Sequence, residues 1–135
     1  MSGASSGLAV SALVVRSGAI VLVQRGCGVG AGLWAPPGGK VERGEGIVSA
    51  CIREVSEETG LEIRVRRILA AVEVFGPESY CIIPFLAVPV PSYSTVMAGS
   101  DARAACWCGT EEAKRFPLAP GVRSLINAAF PARLG

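Results

Sequence analysis

Residues Gly38–Leu61 read GGKVERGEGIVSACIREVSEETGL and place Arg53, Glu54, Glu57 and Glu58 within about two helical turns. On a helix from about Gly46 to Thr59, turning roughly 100° per residue, Val48, Cys51, Ile52 and Val55 share one stripe. Their i, i+3, i+4, i+7 spacing is that of a core-facing helix, and Gly60 stands where a helix stops. Glu54, Glu57 and Glu58 form a second stripe. The expectation is that one face seats the helix and the other presents carboxylates.

Local energetics disfavour that second stripe. Like charges at i, i+4 cost about 0.2–0.5 kcal/mol per pair. The cluster also lies in the C-terminal half, where the helix dipole favours cations, and Arg53 compensates only part of this. A hard divalent cation would resolve the conflict. Mg²⁺ takes oxygen ligands and sits between carboxylates and a phosphate-bearing substrate. The alternative is an ordinary solvated, Glu-rich helix face.

Outward from this stretch the chain alternates strands and loops. Leu8–Val15 and Ala19–Val23 are β-rich runs joined by a tight turn at Arg16-Ser17-Gly18. Gly26–Gly32 (GCGVGAG) has neither a P-loop nor a dinucleotide pattern and reads as a flexible connection. Pro36-Pro37-Gly38-Gly39 fixes the chain and then turns it. Leu61–Phe75 reads as strand broken near Arg67. Within it, Glu62–Arg67 (EIRVRR) is either a solvated strand face or a source of phosphate contacts. Tyr80–Val90, with internal prolines, reads as an edge or bulged strand. Pro91–Ala102 is loop, Ala104–Cys108 a last strand and Gly121–Phe130 a closing helix. This order predicts an α/β sandwich with a mixed sheet.

The 135 residues suit one domain, 1–135, and the 50% apolar, 18% charged composition is that of a globular chain. A net charge of +2 gives no argument for a nucleic-acid or membrane partner. Histidine is absent, which excludes Ser-His-Asp and Cys-His catalysis and His-ligated metals. A general base is then expected to be a carboxylate. The five cysteines (Cys27, Cys51, Cys81, Cys106, Cys108) contain no CxxC and read as reduced packing residues of a cytosolic protein. Cys106 and Cys108 flank Trp107 and would share one strand face. The N-terminus lacks a basic region ahead of its apolar runs, so neither a signal peptide nor a membrane span is expected, and the expected location is the cytoplasm.

The wider spacing resembles a known motif. Gly39, five residues, Glu45, seven residues, then Arg53-Glu54-Val55-Ser56-Glu57-Glu58-Thr59-Gly60-Leu61 matches every specified position of the Nudix box, Gly-x5-Glu-x7-Arg-Glu-U-x-Glu-Glu-x-Gly-U with U bulky and apolar. Seven fixed residue types at abundances of roughly 6% coincide at a given start with odds on the order of 10⁻⁹. The flanks agree: strands precede the box, Trp34–Gly39 resembles the usual lead-in, and a Trp107 strand and terminal helix follow. Pro36 and Arg43 depart from residues more usual at their positions and touch only the loop.

The resemblance implies the Nudix α/β/α sandwich with a mixed sheet. It also implies hydrolysis of a nucleoside diphosphate linked to another group, with Mg²⁺ or Mn²⁺ as cofactor. By the same resemblance Glu54, Glu57 and Glu58 carry the metal, Gly39 adds its backbone carbonyl, and Glu54 is a candidate general base. Arg53 orients a glutamate and Glu45 braces the loop. Asp101, six residues before Trp107, stands where many members add a metal ligand or base. Glu111, Glu112, Glu73 and Glu78 are weaker candidates. Arg25, Trp34, Gly38 and Gly39 fall on the substrate side. The partner is a small-molecule nucleotide, releasing a nucleoside monophosphate; neither nucleic acid nor membrane is expected, and a homodimer is allowed. Pro77, sixteen residues past Leu61, matches a feature of ADP-ribose-cleaving members, which makes ADP-ribose the alternative substrate. A non-catalytic nucleotide-sensing module is the alternative of another class, against which the intact box argues.

Overall fold

The computed structural model describes residues 5–28, 30–76, 79–91, 95–99 and 102–130. In chain order the elements are β1 (Ser5–Arg16), β2 (Ala19–Arg25), β3 (Trp34–Ala35), β4 (Gly38–Glu42), α1 (Ile47–Thr59), β5 (Ile63–Ile68) and β6 (Val72–Val74). There follow β7 (Tyr80–Pro89), β8 (Ala102–Gly109), α2 (Thr110–Ala113) and α3 (Val122–Ala129). The first turn is as expected: Ser17 and Gly18 both take positive φ, 50° and 78°, as a two-residue hairpin loop requires.

β1 organises the sheet. One edge pairs in parallel with β7, from Leu8 opposite Cys81 to Val14 opposite Ala87. The other edge pairs antiparallel with β4 near its start and with β2 at its end. β8 and β3 extend β2, and β5 and β6 lie antiparallel to β7. The parallel β1–β7 ladder needs a long crossover, and the carboxylate helix α1 lies within it.

Alternation along the strands divides the interior into two cores. Val10, Ala12 and Val14 of β1 and Val21 of β2 face α1, beside Ala50, Cys51 and Val55. Leu13, Ile20 and Leu22 point the opposite way, toward Val122 and Ile126 of α3. Both faces of the sheet are therefore covered, and the expected mixed-sheet α/β/α sandwich is the observed architecture. Cys108 and Cys106 join the α3 side and Trp107 the α1 side, as their alternation predicts.

The observed fold differs from two of these expectations. β7 is internal, hydrogen-bonded between β1 and β5, not at an edge. Its Pro84 is tolerated because it faces the interruption between β5 and β6, where its carbonyl accepts from Leu69 N at 2.8 Å. The ladder also skips a residue between Val65 and Arg67, which leaves Arg66 as a bulge near the expected break. On α1 the seated stripe is Ala50, Cys51, Val55 and Thr59, whereas Val48 and Ile52 are 44% and 39% exposed. The helix is rotated so that Glu54 and Glu58 turn partly inward, toward β4. Three short elements were not anticipated: β3, the glycine-led β4 and α2.

Candidate active site

The site is built where α1 lies along β4. Gly38 and Gly39 open β4, opposite Ser11 and Val10 of β1. A side chain at Gly38 would overlap the Val10 carbonyl oxygen, and one at Gly39 would overlap the Glu54 carboxylate. Gly39 thus brings bare backbone against the carboxylate face of α1, while Gly38 lets β4 lie close on β1. The Gly38 N–H donates to Glu58 Oε1 at 3.0 Å, tying strand to helix.

Arg53 is the hub of the charges. Its Nε and Nη2 donate to Glu45 Oε2 and Oε1 at 2.7 and 2.9 Å, the two-point fork that a planar guanidinium forms with a carboxylate. Nη1 reaches Glu57 Oε1 at 2.8 Å and Glu54 Oε1 at 3.2 Å, and Nη2 also donates to the Lys40 carbonyl at 3.2 Å. Glu45 additionally accepts from the Glu42 N–H at 3.1 Å. The Arg53 hydrogen bonds, helped by that backbone N–H, hold the Glu45 carboxyl down at about 2, and the carboxylates in turn push the Arg53 pKa up. Glu54 shifts the other way. Partial burial raises its pKa, the Arg53 charge opposes this, and neighbouring Glu57 adds to it.

α1 does little for these charges through its own ends. Its N-cap is Gly46 without a side-chain cap, and its last turn holds no basic residue. Gly60, at φ 77°, ends the helix as expected, its N–H bonded to the Ser56 carbonyl.

Of the sequence-derived candidates, Gly38, Gly39, Glu45, Arg53, Glu54, Glu57 and Glu58 come together here. Asp101, Glu78 and Pro77 lie outside the described residues. Trp34 is placed elsewhere, packed with the α3-side core in an edge-on contact with Phe116, ring centroids 4.9 Å apart. Arg25 is exposed at the end of β2, its main chain closing the glycine-rich loop through Leu33 O and Gly32 N. Glu111 pairs with Lys114 and Glu112 accepts from the Gly109 N–H, so both serve their own short helix; Glu73 is exposed on β6. Arg64, Arg66 and Arg67 are exposed on β5.

The donor set suits a hard divalent cation in kind: carboxylate oxygens, with glycine backbone pressed against one of them. Among the described residues no three acidic or thiol side chains are already gathered as a chelating group. Nη1 of Arg53 stands between Glu54 and Glu57 and supplies their compensating charge. No helix of the described residues is long and apolar enough to cross a membrane.

A glycine strand laid against a helix of partly buried glutamates, on a mixed sheet covered on both faces, defines a hydrolase class that known proteins share. The NUDIX domain profile matches residues 5–129. The CTP pyrophosphohydrolase of Escherichia coli (strain K12) is 38% identical over 127 residues, covering 92% of this chain and 91% of that protein. A MutT Nudix hydrolase structure from Burkholderia pseudomallei superposes with a TM-score of 0.79 at 25% identity, covering 90% of this chain and 95% of that one. An ADP-ribose pyrophosphatase from Methanocaldococcus jannaschii is 39% identical over 62 residues, 46% of this chain and 37% of its own length. This chain belongs to the Nudix family: it is a Nudix hydrolase, an enzyme class acting on nucleotide pyrophosphate bonds and generally using divalent metal ions.

Proposed function

We propose that this chain is a Mg²⁺-dependent nucleoside triphosphate pyrophosphohydrolase that releases a nucleoside monophosphate and pyrophosphate, with CTP the first substrate to test. The observation that carries the reaction is the Arg53-centred carboxylate cluster held against Gly38 and Gly39. The substrate class is supported by similarity to the E. coli CTP pyrophosphohydrolase along nearly the whole of both chains.

In this reading Glu54, Glu57, Glu58 and the Gly39 carbonyl hold Mg²⁺ (Mn²⁺ in its place). When bound, the ion would polarise a phosphoryl oxygen and acidify an attacking water. Arg53 orients Glu54 and Glu57, and Glu45 fixes Arg53 by holding two of its three nitrogens. Because Glu45 holds Nε and Nη2 of a rigid planar guanidinium, Nη1 is itself fixed beside the two glutamates. Glu54 is the candidate general base. Asp101 is a further candidate ligand or base, and Arg25 and Trp34 are candidates for the substrate side.

ADP-ribose is the second substrate reading, supported by the partial match to the archaeal ADP-ribose pyrophosphatase. A panel of nucleoside triphosphates, ADP-ribose, dinucleoside polyphosphates and nucleotide sugars, each with Mg²⁺, decides between them. CTP turnover to CMP and pyrophosphate is expected; no product from any compound would sink the enzymatic reading. Glu57→Gln should abolish metal-dependent turnover and leave the fold intact, because the Glu57 side chain is 53% exposed.

A further inference from the structure

The last carbonyls of a helix lack partners within it. In α1 two of them are met by a distant segment: the Gly99 N–H donates to Glu58 O at 2.8 Å and the Met97 N–H to Thr59 O at 2.9 Å. Gly99 lies so close that an added Cβ would overlap the Glu57 carbonyl oxygen and stand 3.0 Å from Glu58 Cα. These are backbone atoms, which cannot step aside as the end of a side chain can. Gly99 is not among the glycines with positive φ, so its approach to α1, not its conformation, demands glycine.

The segment is seated from below by Val96, packed on the α1-side core, while Met97 is 70% exposed. Main-chain contacts and the Val96 side chain hold it. The main-chain contacts fall on the residues where charge is most crowded, the negative end of the helix dipole bearing Glu57 and Glu58, and two N–H dipoles there offset part of that charge.

We infer that Gly99 is a positioning residue: it lets residues 95–99 latch onto the end of α1 and so fixes the backbone that presents Glu57 and Glu58. The inference rests on the proposal that those glutamates bind the cation. A latch that favours the cation-holding arrangement must itself be favoured by the cation to the same degree.

Two measurements on the full chain test it. Mn²⁺ binding is titrated by electron paramagnetic resonance for the wild type, Glu57→Gln and Gly99→Ala, with circular dichroism to check folding. Gly99→Ala should keep the wild-type spectrum and bind Mn²⁺ at least about tenfold more weakly, the range for displaced supporting groups. If Glu57→Gln binds like the wild type, the metal reading itself fails. If Glu57→Gln loses binding but folded Gly99→Ala keeps wild-type affinity, the latch is overturned and the metal reading stands. Amide exchange in the wild type gives an answer even if Gly99→Ala does not fold. Saturating Mg²⁺ should slow exchange at Gly99 and Met97 but not at Trp34, whose N–H bonds to Pro117 O on the α3 side. Unchanged exchange at Gly99 overturns the inference.

Discussion

Arg53 grips Glu45 at two points, 2.7 Å from Nε and 2.9 Å from Nη2, leaving Nη1 alone to reach Glu54 and Glu57. The arginine is thus anchored in the loop before α1 and acts on the helix itself. A lysine offers one point charge with no fork, so it can serve Glu45 or the glutamates but not both in a fixed geometry. Arg53→Lys should lower kcat and metal affinity by about 10–100-fold, as loss of a supporting contact to metal ligands does. Steady-state kinetics with an Mg²⁺ titration check this.

The same pair sets a pH dependence. Arg53 depresses the Glu45 pKa from 4.5 to about 2. A carboxyl depressed in the folded state contributes stability that is complete above its unfolded value and is lost as pH falls through the folded one. The difference in Tm between the wild type and Glu45→Gln should therefore be constant from pH 7 to about 5. It should then shrink as pH is lowered from 4.5 toward 2. Thermal melts at closely spaced pH values read it directly, and a difference that stayed constant to pH 2.5 would contradict the ion pair.

Gly39 is filled by its neighbour. Since a Cβ there overlaps the Glu54 carboxylate, the movable end of a side chain, Gly39→Ala displaces that carboxylate from its place. Because the carboxylate end can swing away, the cost to stability should stay under about 1 kcal/mol, a fall in Tm of at most roughly 5 °C for a chain of this size. Activity should fall further than stability, about 100-fold, because a displacement of about 1 Å at a catalytic group has that effect. A Gly39→Ala protein with wild-type kcat would show that the close approach of Gly39 does not position Glu54 for the chemistry.

Much of this site was legible in the sequence because its parts are residue types at fixed spacing on one helix and the loop before it. Glu45, Arg53, Glu54, Glu57 and Glu58 meet as that spacing requires. What was not legible depends on neighbours distant in sequence. Tyr80–Val90 reads as an edge or bulged strand; the β5–β7 ladder does carry an irregularity, but nothing local reveals the gap between β5 and β6 that lets Pro84 sit in an internal strand. Gly38 and Gly39 have low strand propensity, yet β4 forms on its ladder with β1, where the Val10 carbonyl oxygen leaves no room for a side chain at Gly38. Gly99 gave no signal at all, since its partner atoms are main-chain carbonyls of α1.

The seated face of α1 departs furthest from what apolar spacing predicts. Apolar periodicity assumes that polar residues face water, and it therefore seated Val48 and Ile52 in the core. In the structure Glu54 and Glu58 face β4, so the helix turns and leaves Val48 and Ile52 half in solvent while fully buried Ala50 and Cys51 make the contact. Replacing the first pair with a good helix former should therefore be mild. Val48→Gln and Ile52→Gln are each expected to cost under about 1 kcal/mol, near the range for surface substitutions. Ala50→Leu, which adds volume against the sheet, should cost about 1–3 kcal/mol. Urea unfolding at constant m separates the two classes through their midpoints. If Ile52→Gln proved as damaging as Ala50→Leu, α1 would be seated on the stripe that apolar spacing alone suggests, and Glu54 would face water instead of Gly39.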